Sequence, residues 1–275
     1  MFSQALKSLY RVIMYTSIIT GLQGIMRTLT VILVLGLRPD PVILAMIFGI
    51  CVFVYGRDRI VGLDSDSKTD PRSKWIAKNQ TRLKLVVHIS GGIILLLAPL
   101  RLKTISLLAA ILCLALAYNI KILPGGKSFK QLPGFKTPFV SAIWVALTAG
   151  LPLIASGKTL DERDFFVMAI VFLYMSTLIS INDIYDITED KANGVKSLAV
   201  LIGESNVRGL ASVFSLVGAA IAAFSISSTG LFLAGIYFSI YAISIKSPRG
   251  RDHTATVFAY RASSFIMFIL VLLFK

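Results

Sequence analysis

Long apolar runs separated by short polar stretches dominate the sequence. A membrane-spanning helix needs about 20 mostly apolar residues, and nine runs come close to that length and composition. They predict an all-α multi-pass membrane protein with nine transmembrane helices. The predicted spans are 16–37, 41–56, 84–100, 104–121, 137–156, 164–182, 207–227, 229–246 and 254–274.

The composition agrees with this pattern. Apolar residues make up 56% of the chain and charged residues 15%, against about 25% charged residues in a soluble domain. Cys51 and Cys113 lie inside apolar runs, so we expect core thiols rather than a disulfide or a metal site. The net charge of +14 comes without basic and aromatic stripes, so no nucleic acid is predicted as a partner. In a membrane protein, such an excess indicates orientation and contact with anionic lipid.

The basic residues predict the orientation of the chain. With a cytoplasmic N-terminus, 20 of the 28 Lys and Arg residues lie in inside segments, 6 lie outside, and Arg27 and Arg261 lie within spans. This asymmetry follows the positive-inside rule. We therefore expect a cell-membrane protein whose polar stretches after the second and sixth spans are both cytoplasmic.

The stretch after the sixth span combines acidic residues at helical spacing. Asn182, Asp186 and Asp190 are four residues apart, which places them on one face of a helix. Oxygen ligands at this spacing suit a hard cation such as Mg²⁺, which prefers carboxylates together with substrate phosphates. Asp183 and Glu189 add charge nearby, and no His or Cys is present to complete a soft-metal site.

The stretch after the second span repeats this pattern. At one constant offset, Asp58 corresponds to Asn182, Gly62 to Asp186, and Asp66 to Asp190. A single motif of this kind would be interpreted as solvated helix caps. Two motifs on one membrane face, each followed by Lys or Arg, favour a diphosphate site. The repeat predicts one domain, 1–275, made of two four-helix units, 16–121 and 137–246, and a ninth helix, 254–274.

The second motif resembles the second aspartate-rich motif of the UbiA superfamily of intramembrane prenyltransferases. The matching residues are Asn182, Asp186, Asp190, Lys191, Gly194, Lys196, Ser197, Leu198 and Gly203. The first motif matches partly, since Asp58 stands where Asn is usual and Gly62 replaces the middle Asp. Asp64 or Asp66 is then expected to take over the metal. The stretch 118–144 is similar to the loop after the family's fourth helix.

The resemblance implies nine helices in a ring around a central cavity. It also implies Mg²⁺-dependent transfer of an isoprenyl group from a polyprenyl diphosphate to a lipophilic, aromatic acceptor in quinone or related lipid biosynthesis. The implied metal ligands are Asp58, Asp64, Asp66, Asn182, Asp186 and Asp190. The implied catalytic residues are Asp58, Asp66, Asp186 and Asp190. The implied diphosphate-binding residues are Arg57, Arg72, Tyr118, Lys130, Lys136 and Lys191.

Two alternatives remain open at this point. One is a family member with altered catalysis, which is considered because Gly62 replaces an acid of the first motif. A membrane transporter would also use a repeat and intramembrane polar residues, but it would place them near the midplane at broken helices. Because the acidic residues cluster at one membrane face, the sequence favours the enzyme.

Overall fold

The described part of the chain is helical. The computed structural model describes residues 12–62, 71–244 and 253–274, without the side chains of 71–73 and 253–261. Its α-helices are α1 (Ile18–Leu35), α2 (Pro41–Val61), α3 (Pro71–Lys78), α4 (Gln80–Leu97), α5 (Ile105–Ala117), α6 (Lys136–Val145), α7 (Leu151–Ser156), α8 (Glu162–Tyr185), α9 (Ile187–Ala192), α10 (Leu198–Ile202), α11 (Glu204–Ile221), α12 (Thr229–Ser244) and α13 (His253–Leu273). Short 3₁₀ or π segments occupy Ala98–Thr104, Phe129–Gln131, Ala146–Gly150 and Ala222–Ile226.

Several of these segments have the length and composition of membrane spans. Among the described residues, six candidates are Ile18–Leu35, Pro41–Val61, Gln80–Ala117, Lys136–Ser156, Glu162–Tyr185 and Glu204–Ile226. The 38-residue segment Gln80–Ala117 unites α4 and α5, and two shorter apolar helices cover the last two predicted runs. The all-helical, multi-pass class is confirmed, and the count of nine spans stays a prediction.

The helices pack in a closed ring over the described ranges. Going round it, α1 packs on α2, α2 on α4 and α5, and α5 on the π segment that follows α6. The ring continues as α6 packs on α8, α8 on α11, α11 on α12, α12 on α13, and α13 on α1. Large apolar side chains such as Leu95, Leu96 and Phe224 point outward and are mostly exposed, as expected for residues that face lipid.

Close packing around α8 depends on two glycines. A Cβ atom added at Gly218 of α11 would lie 2.5 Å from Cε1 of Tyr174, and one at Gly235 of α12 would lie 2.5 Å from its Oη. The Tyr174 hydroxyl donates to the carbonyl of Leu231 at 2.5 Å. Because glycine lacks a side chain, α11 and α12 can approach the buried ring of Tyr174.

Two predicted helix breaks have visible causes. Between α4 and α5, Pro99 lies at the start of the 3₁₀ turn, and Arg101 has non-helical angles of φ −137° and ψ 59°. Between α11 and α12, Ser227 adopts the left-handed conformation with φ 57° after the π segment. Both breaks fall where polar residues interrupt the apolar pattern, so the predicted boundaries are confirmed there.

The ring brings several helix ends to one side of the bundle. These are the start of α1, the end of α2, the end of α5, the start of α6 and the end of α8. The first acidic motif begins in the last turn of α2, and the second extends from the last turn of α8 into α9. The topology therefore places the described residues of the first motif, Asp58 and Gly62, at the same end of the bundle as the second, as the predicted span layout requires.

Candidate active site

A polar chamber of about 330 Å³ lies where these helix ends meet. Asp58 and Gly62 line it from the end of α2, and Asn182, Asp186 and Asp190 line it from the end of α8. The described part of the first motif and the whole of the second, far apart in sequence, thus share one cavity. This arrangement meets the geometric requirement for a ligand that both motifs contact.

Most of the predicted site residues line this chamber. Those that do are Asp58, Tyr118, Lys130, Lys136, Asn182, Asp186 and Asp190. Arg57 and Lys191 lie outside the lining residues of the chamber, and Lys191 is exposed. Asp64 and Asp66, and the side chain of Arg72, lie outside the described residues. Lining a chamber does not establish a role, so the roles of all the predicted site residues stay predictions.

Amide side chains hold the acidic groups on both walls. The Asn119 amide donates to Oδ1 of Asp58 at 2.6 Å, which joins the loop after α5 to the end of α2. At the second motif, the Asn182 amide donates to Oδ2 of Asp186 at 2.7 Å. In this orientation the Asn182 side-chain oxygen points away from Asp186 and remains able to accept or to coordinate.

Lys136, the first residue of α6, lies among three carboxylates. Its ammonium is 2.8 Å from Oδ1 of Asp183, 3.2 Å from Oδ2 of Asp190 and 3.9 Å from Oδ2 of Asp186. The Asp183 side chain is fully buried, whereas that of Asp186 is 35% exposed to the chamber. The cationic partner explains why the chain tolerates a buried acid in an apolar helix.

Two hydrogen bonds connect the loop before α6 to the loop after α9. The Gln131 amide donates to the carbonyl of Asn193 at 3.1 Å, and the Gly134 N–H donates to the carbonyl of Lys196 at 2.8 Å. Gly134 itself has φ +67°, which glycine adopts without strain. The two loops therefore form one connected cover beside the chamber.

Tyr118 contributes a neutral phenol to the chamber wall. Its ring stacks on Phe139 with centroids 4.9 Å apart, and among the described residues its buried hydroxyl has no hydrogen-bond partner. Burial raises the pKa of Tyr118 above its ordinary value. The phenol therefore stays protonated at neutral pH and can donate to an anionic ligand.

The floor of the chamber is polar and aromatic. Thr20, Gln23 and Arg27 lie on one face of α1, and all three line the cavity although they are buried. The Arg27 guanidinium lies 4.3 Å from the ring centre of Trp144, a cation–π arrangement. The Trp144 N–H donates to the Tyr55 hydroxyl at 3.1 Å. Arg27, which the sequence places within the first span, is thus an intramembrane charge that lines the cavity.

Several residues in or beside the chamber were not assigned to the site from the sequence. Asp183 was recognised only as nearby charge, and Arg59, Asn119 and Glu189 were not assigned to the site, although all but Asp183 line the chamber. A signal for Asp183 existed, because an acid within an apolar run requires a cation, and Lys136 begins the preceding apolar span. Arg59 donates to the carbonyls of Met14 and Tyr15, so it fixes the segment before α1.

Comparisons with known proteins agree with this geometry. The sequence profile of the UbiA prenyltransferase family matches residues 28–272. The chain belongs to the UbiA prenyltransferase family. Members of this family are prenyltransferases, so the chain is an enzyme of this class. No curated protein sequence matches the chain.

Solved UbiA structures share the fold at low sequence identity. The apo structure of a UbiA homologue from Aeropyrum pernix K1 has 14% identity and a TM-score of 0.66, over 91% of this chain and 95% of that one. A UbiA homologue from Archaeoglobus fulgidus bound to GPP and Mg²⁺ has 12% identity and a TM-score of 0.63, over 94% and 98%. A digeranylgeranylglyceryl phosphate synthase has 14% identity and a TM-score of 0.59, over 98% and 97%.

Proposed function

We propose that this UbiA family member transfers an isoprenyl group from a polyprenyl diphosphate to a lipophilic, aromatic acceptor within the membrane, with Mg²⁺ as the cofactor. The observation that supports this most directly is the shared chamber. Its lining includes Asp58 of the first acidic motif, Asn182, Asp186 and Asp190 of the second, and the cations Arg59, Lys130 and Lys136. A diphosphate bound through a divalent cation requires that combination of groups.

The diphosphate and the isoprenyl tail of the donor would bind to different parts of the chamber. Lys130 and Arg59 line the chamber and would neutralise phosphate oxygens, while the Tyr118 hydroxyl would donate to one of them. The isoprenyl tail would follow the apolar part of the wall, which Val140 and Ile179 form deeper in the bundle. The charged part of the donor would thus contact polar groups, and its hydrocarbon part would contact apolar groups.

The residues present fit a divalent cation in their donor chemistry. Asp58, Asn182 and Asp186 offer oxygen atoms to the chamber, and oxygen ligands suit Mg²⁺. Among the described residues, no group of three or more His, Cys, Asp or Glu side chains forms a ready metal site. At the second motif, the ammonium of Lys136 forms ion pairs with Asp183 and Asp190. When bound, Mg²⁺ would draw charge away from the leaving diphosphate.

The chain's own groups account for the remaining steps. The donor's C1–O bond breaks, and its electron pair leaves with the diphosphate, whose charge Lys130, Arg59 and Tyr118 would stabilise. The acceptor carbon then forms a bond to C1 and loses its proton. Asp58, whose carboxylate accepts a hydrogen bond from Asn119, would receive that proton as the base. The connected loops beside the chamber would keep out water that would otherwise capture the allylic cation.

The floor of the chamber supports an aromatic acceptor. Tyr55 and Trp144 present ring surfaces there, and aromatic rings pack favourably against one another. We therefore place the acceptor among aromatic precursors such as those of quinone biosynthesis. The excess of basic residues in the predicted inside segments supports a cell-membrane protein with a cytoplasmic chamber.

The test is transfer by the purified protein. Labelled prenyl diphosphates of several lengths would be incubated with a panel of lipophilic acceptors, with Mg²⁺ or with a chelator. We expect a labelled, alkylated product only with Mg²⁺. Absence of product from every pair would contradict the proposal and would favour the alternative of a catalytically altered member, which the glycine at position 62 supports.

Asp186→Ala supplies the residue-level test. We expect at least a 100-fold loss of Mg²⁺-dependent transfer, since the exposed carboxylate of the second motif is removed. The control is Glu162→Ala, which removes an exposed acid from the first turn of the same helix, α8. Unchanged turnover of Asp186→Ala, with the same folded fraction in detergent, would exclude this carboxylate from the reaction.

A further inference from the structure

The second acidic motif has a cation of its own. Lys136, in the first turn of α6, lies among the carboxylates at the end of α8 and in α9, and its side chain is 19% exposed. Asp183 and Asp190 lie nearest to its ammonium, and Asp186 is at the edge of ion-pair distance. An ammonium at this point occupies space in which a metal ion would otherwise bind the same oxygens.

The position of Lys136 is fixed by more than its charge. Hydrogen bonds from Gln131 and Gly134 attach the loop before α6 to Asn193 and Lys196, on the far side of the same motif. They hold the start of α6 beside the end of α8 independently of the ion pair. The lysine is therefore built into the motif and does not reach it by a chance rotamer of an exposed side chain.

The formal charges set what the motif can accept. Asp183, Asp186 and Asp190 carry three negative charges, and Lys136 supplies one positive charge, so two negative charges remain. One divalent cation balances that remainder. Without the lysine, three carboxylates at close range would repel one another until more than one cation had bound.

We infer that Lys136 is a tethered counter-cation that takes the place of one metal ion at the second motif, so that the motif is assembled before any divalent ion arrives. Lys136 is thus a positioning residue, which holds Asp183 and Asp190 and leaves Asp186 and Asn182 to face the ligand. The inference rests on the proposed function only for the identity of the ion and the diphosphate.

The test measures thermal stability without any donor. Wild type, Lys136→Met and the double variant Lys136→Met/Asp183→Asn would be melted in detergent with a chelator and with saturating MgCl₂. Removing one partner of a buried ion pair leaves the other charge uncompensated, so we expect Lys136→Met to lower the Tm in chelator by about 6 °C or more. Mg²⁺ should restore at least half of this loss, and its effect on wild type should be smaller.

The double variant separates charge from packing. Asp183→Asn removes the carboxylate that Lys136 neutralises, so we expect the double variant to melt above Lys136→Met in chelator and to respond less to Mg²⁺. Lys121→Met is the matched control, because it removes an exposed lysine from the loop after α5. We expect its Tm to stay within about 1 °C of wild type.

Two results would overturn the inference. One is a Lys136→Met protein with the wild-type Tm and the wild-type response to Mg²⁺. The other is a loss of stability, or of folding, that neither Mg²⁺ nor Asp183→Asn reduces, since that pattern belongs to lost packing. Transfer assays on the same wild-type preparation keep the two proposals apart. A protein with the predicted melting pattern and no transfer would contradict the proposed function alone.

Discussion

At the scale of single residues, position 62 is where the two acidic motifs differ most. Gly62 ends α2 with φ −73° and ψ −12°, a helical conformation that any L residue adopts. The backbone therefore does not require glycine there. Gly62 lines the same chamber as Asp186.

Gly62→Asp should strengthen the first motif. A carboxylate here would restore the acid that the second motif has at the matching position, and we expect half-maximal transfer at about fivefold lower Mg²⁺, equivalent to about 1 kcal/mol. The measurement is the Mg²⁺ dependence of initial rate, with Gly62→Asn as an uncharged control of similar size. A large loss of activity in Gly62→Asp alone, with normal folding, would show that the first motif binds its ligand in another way.

The sequence predicted the residue types of the site better than their pairings. The spacing of Asn182, Asp186 and Asp190 was sufficient to place them on one face, because helical periodicity is local. Asp183 and Lys136 belong to two neighbouring helices, α8 and α6, and helical periodicity within one helix does not pair residues of different helices. The basic residues of the site were the hardest to predict, because periodicity does not decide whether Arg57 or Arg59 faces the chamber.

At the scale of helices, the break between α4 and α5 has a partner at the α1–α2 turn. Asp40 accepts hydrogen bonds from the N–H groups of Val42 and Ile43, and so caps α2. It also accepts from the guanidinium of Arg101, at 2.5 Å to Nε and 3.0 Å to Nη2. Two helix connections at the end of the bundle away from the chamber are thus joined through one carboxylate.

This carboxylate predicts a pH-dependent stability. Partial burial alone would raise the pKa of Asp40, but the hydrogen bonds from Arg101, Ile43 and Val42 outweigh it and lower the pKa below 3.8. A lowered folded-state pKa adds stability above the unfolded value and loses it as the pH falls through the folded value. We expect Asp40→Asn, which keeps a capping side chain, to be about 0.5–1 kcal/mol less stable at neutral pH.

The difference between wild type and Asp40→Asn should disappear as the pH falls below 3.8. Denaturant or thermal unfolding of both proteins at several pH values measures it. Arg38→Met, which removes an exposed cation from the same connection, serves as the control and should follow wild type throughout. A stability gap between wild type and Asp40→Asn that is constant with pH would contradict a role for the charge.

Helix boundaries were predictable where polar residues interrupt an apolar run. The polar residues around Arg101 and Ser227 interrupt apolar runs, and both interruptions are breaks in the structure. The π segment Ala146–Gly150 was not predicted. Pro152 follows it closely and lacks the N–H of a regular turn, so the helix accommodates it by widening without ending, and hydropathy does not register that change.

At the scale of the whole molecule, the chamber implies that metal and diphosphate act as one ligand. A prenyl diphosphate analogue that resists cleavage, present with Mg²⁺ at about 100 times its Kd, should stabilise the folded protein by about 2.7 kcal/mol. For a chain of this size that corresponds to a rise in Tm of about 5 °C or more. Differential scanning fluorimetry in detergent measures the shift.

The matching control is the prenyl alcohol with Mg²⁺, which has the tail without the phosphates. An equal Tm shift with the alcohol would contradict a diphosphate site and would leave the chamber without its proposed role. The transporter alternative predicts no Mg²⁺-dependent response to the analogue. The internal repeat, 16–121 and 137–246, stays a prediction, although its equivalent motifs do meet at one chamber.

The ion pair between Lys136 and Asp183 has a consequence for how the protein is made. A nascent chain enters the lipid before it encounters substrate, and a bare cluster of acids at a helix end would resist that step. Because α6 supplies the balancing charge, our inference implies that the two helices would assemble in the membrane without bound magnesium, and that the ion would be needed only for turnover.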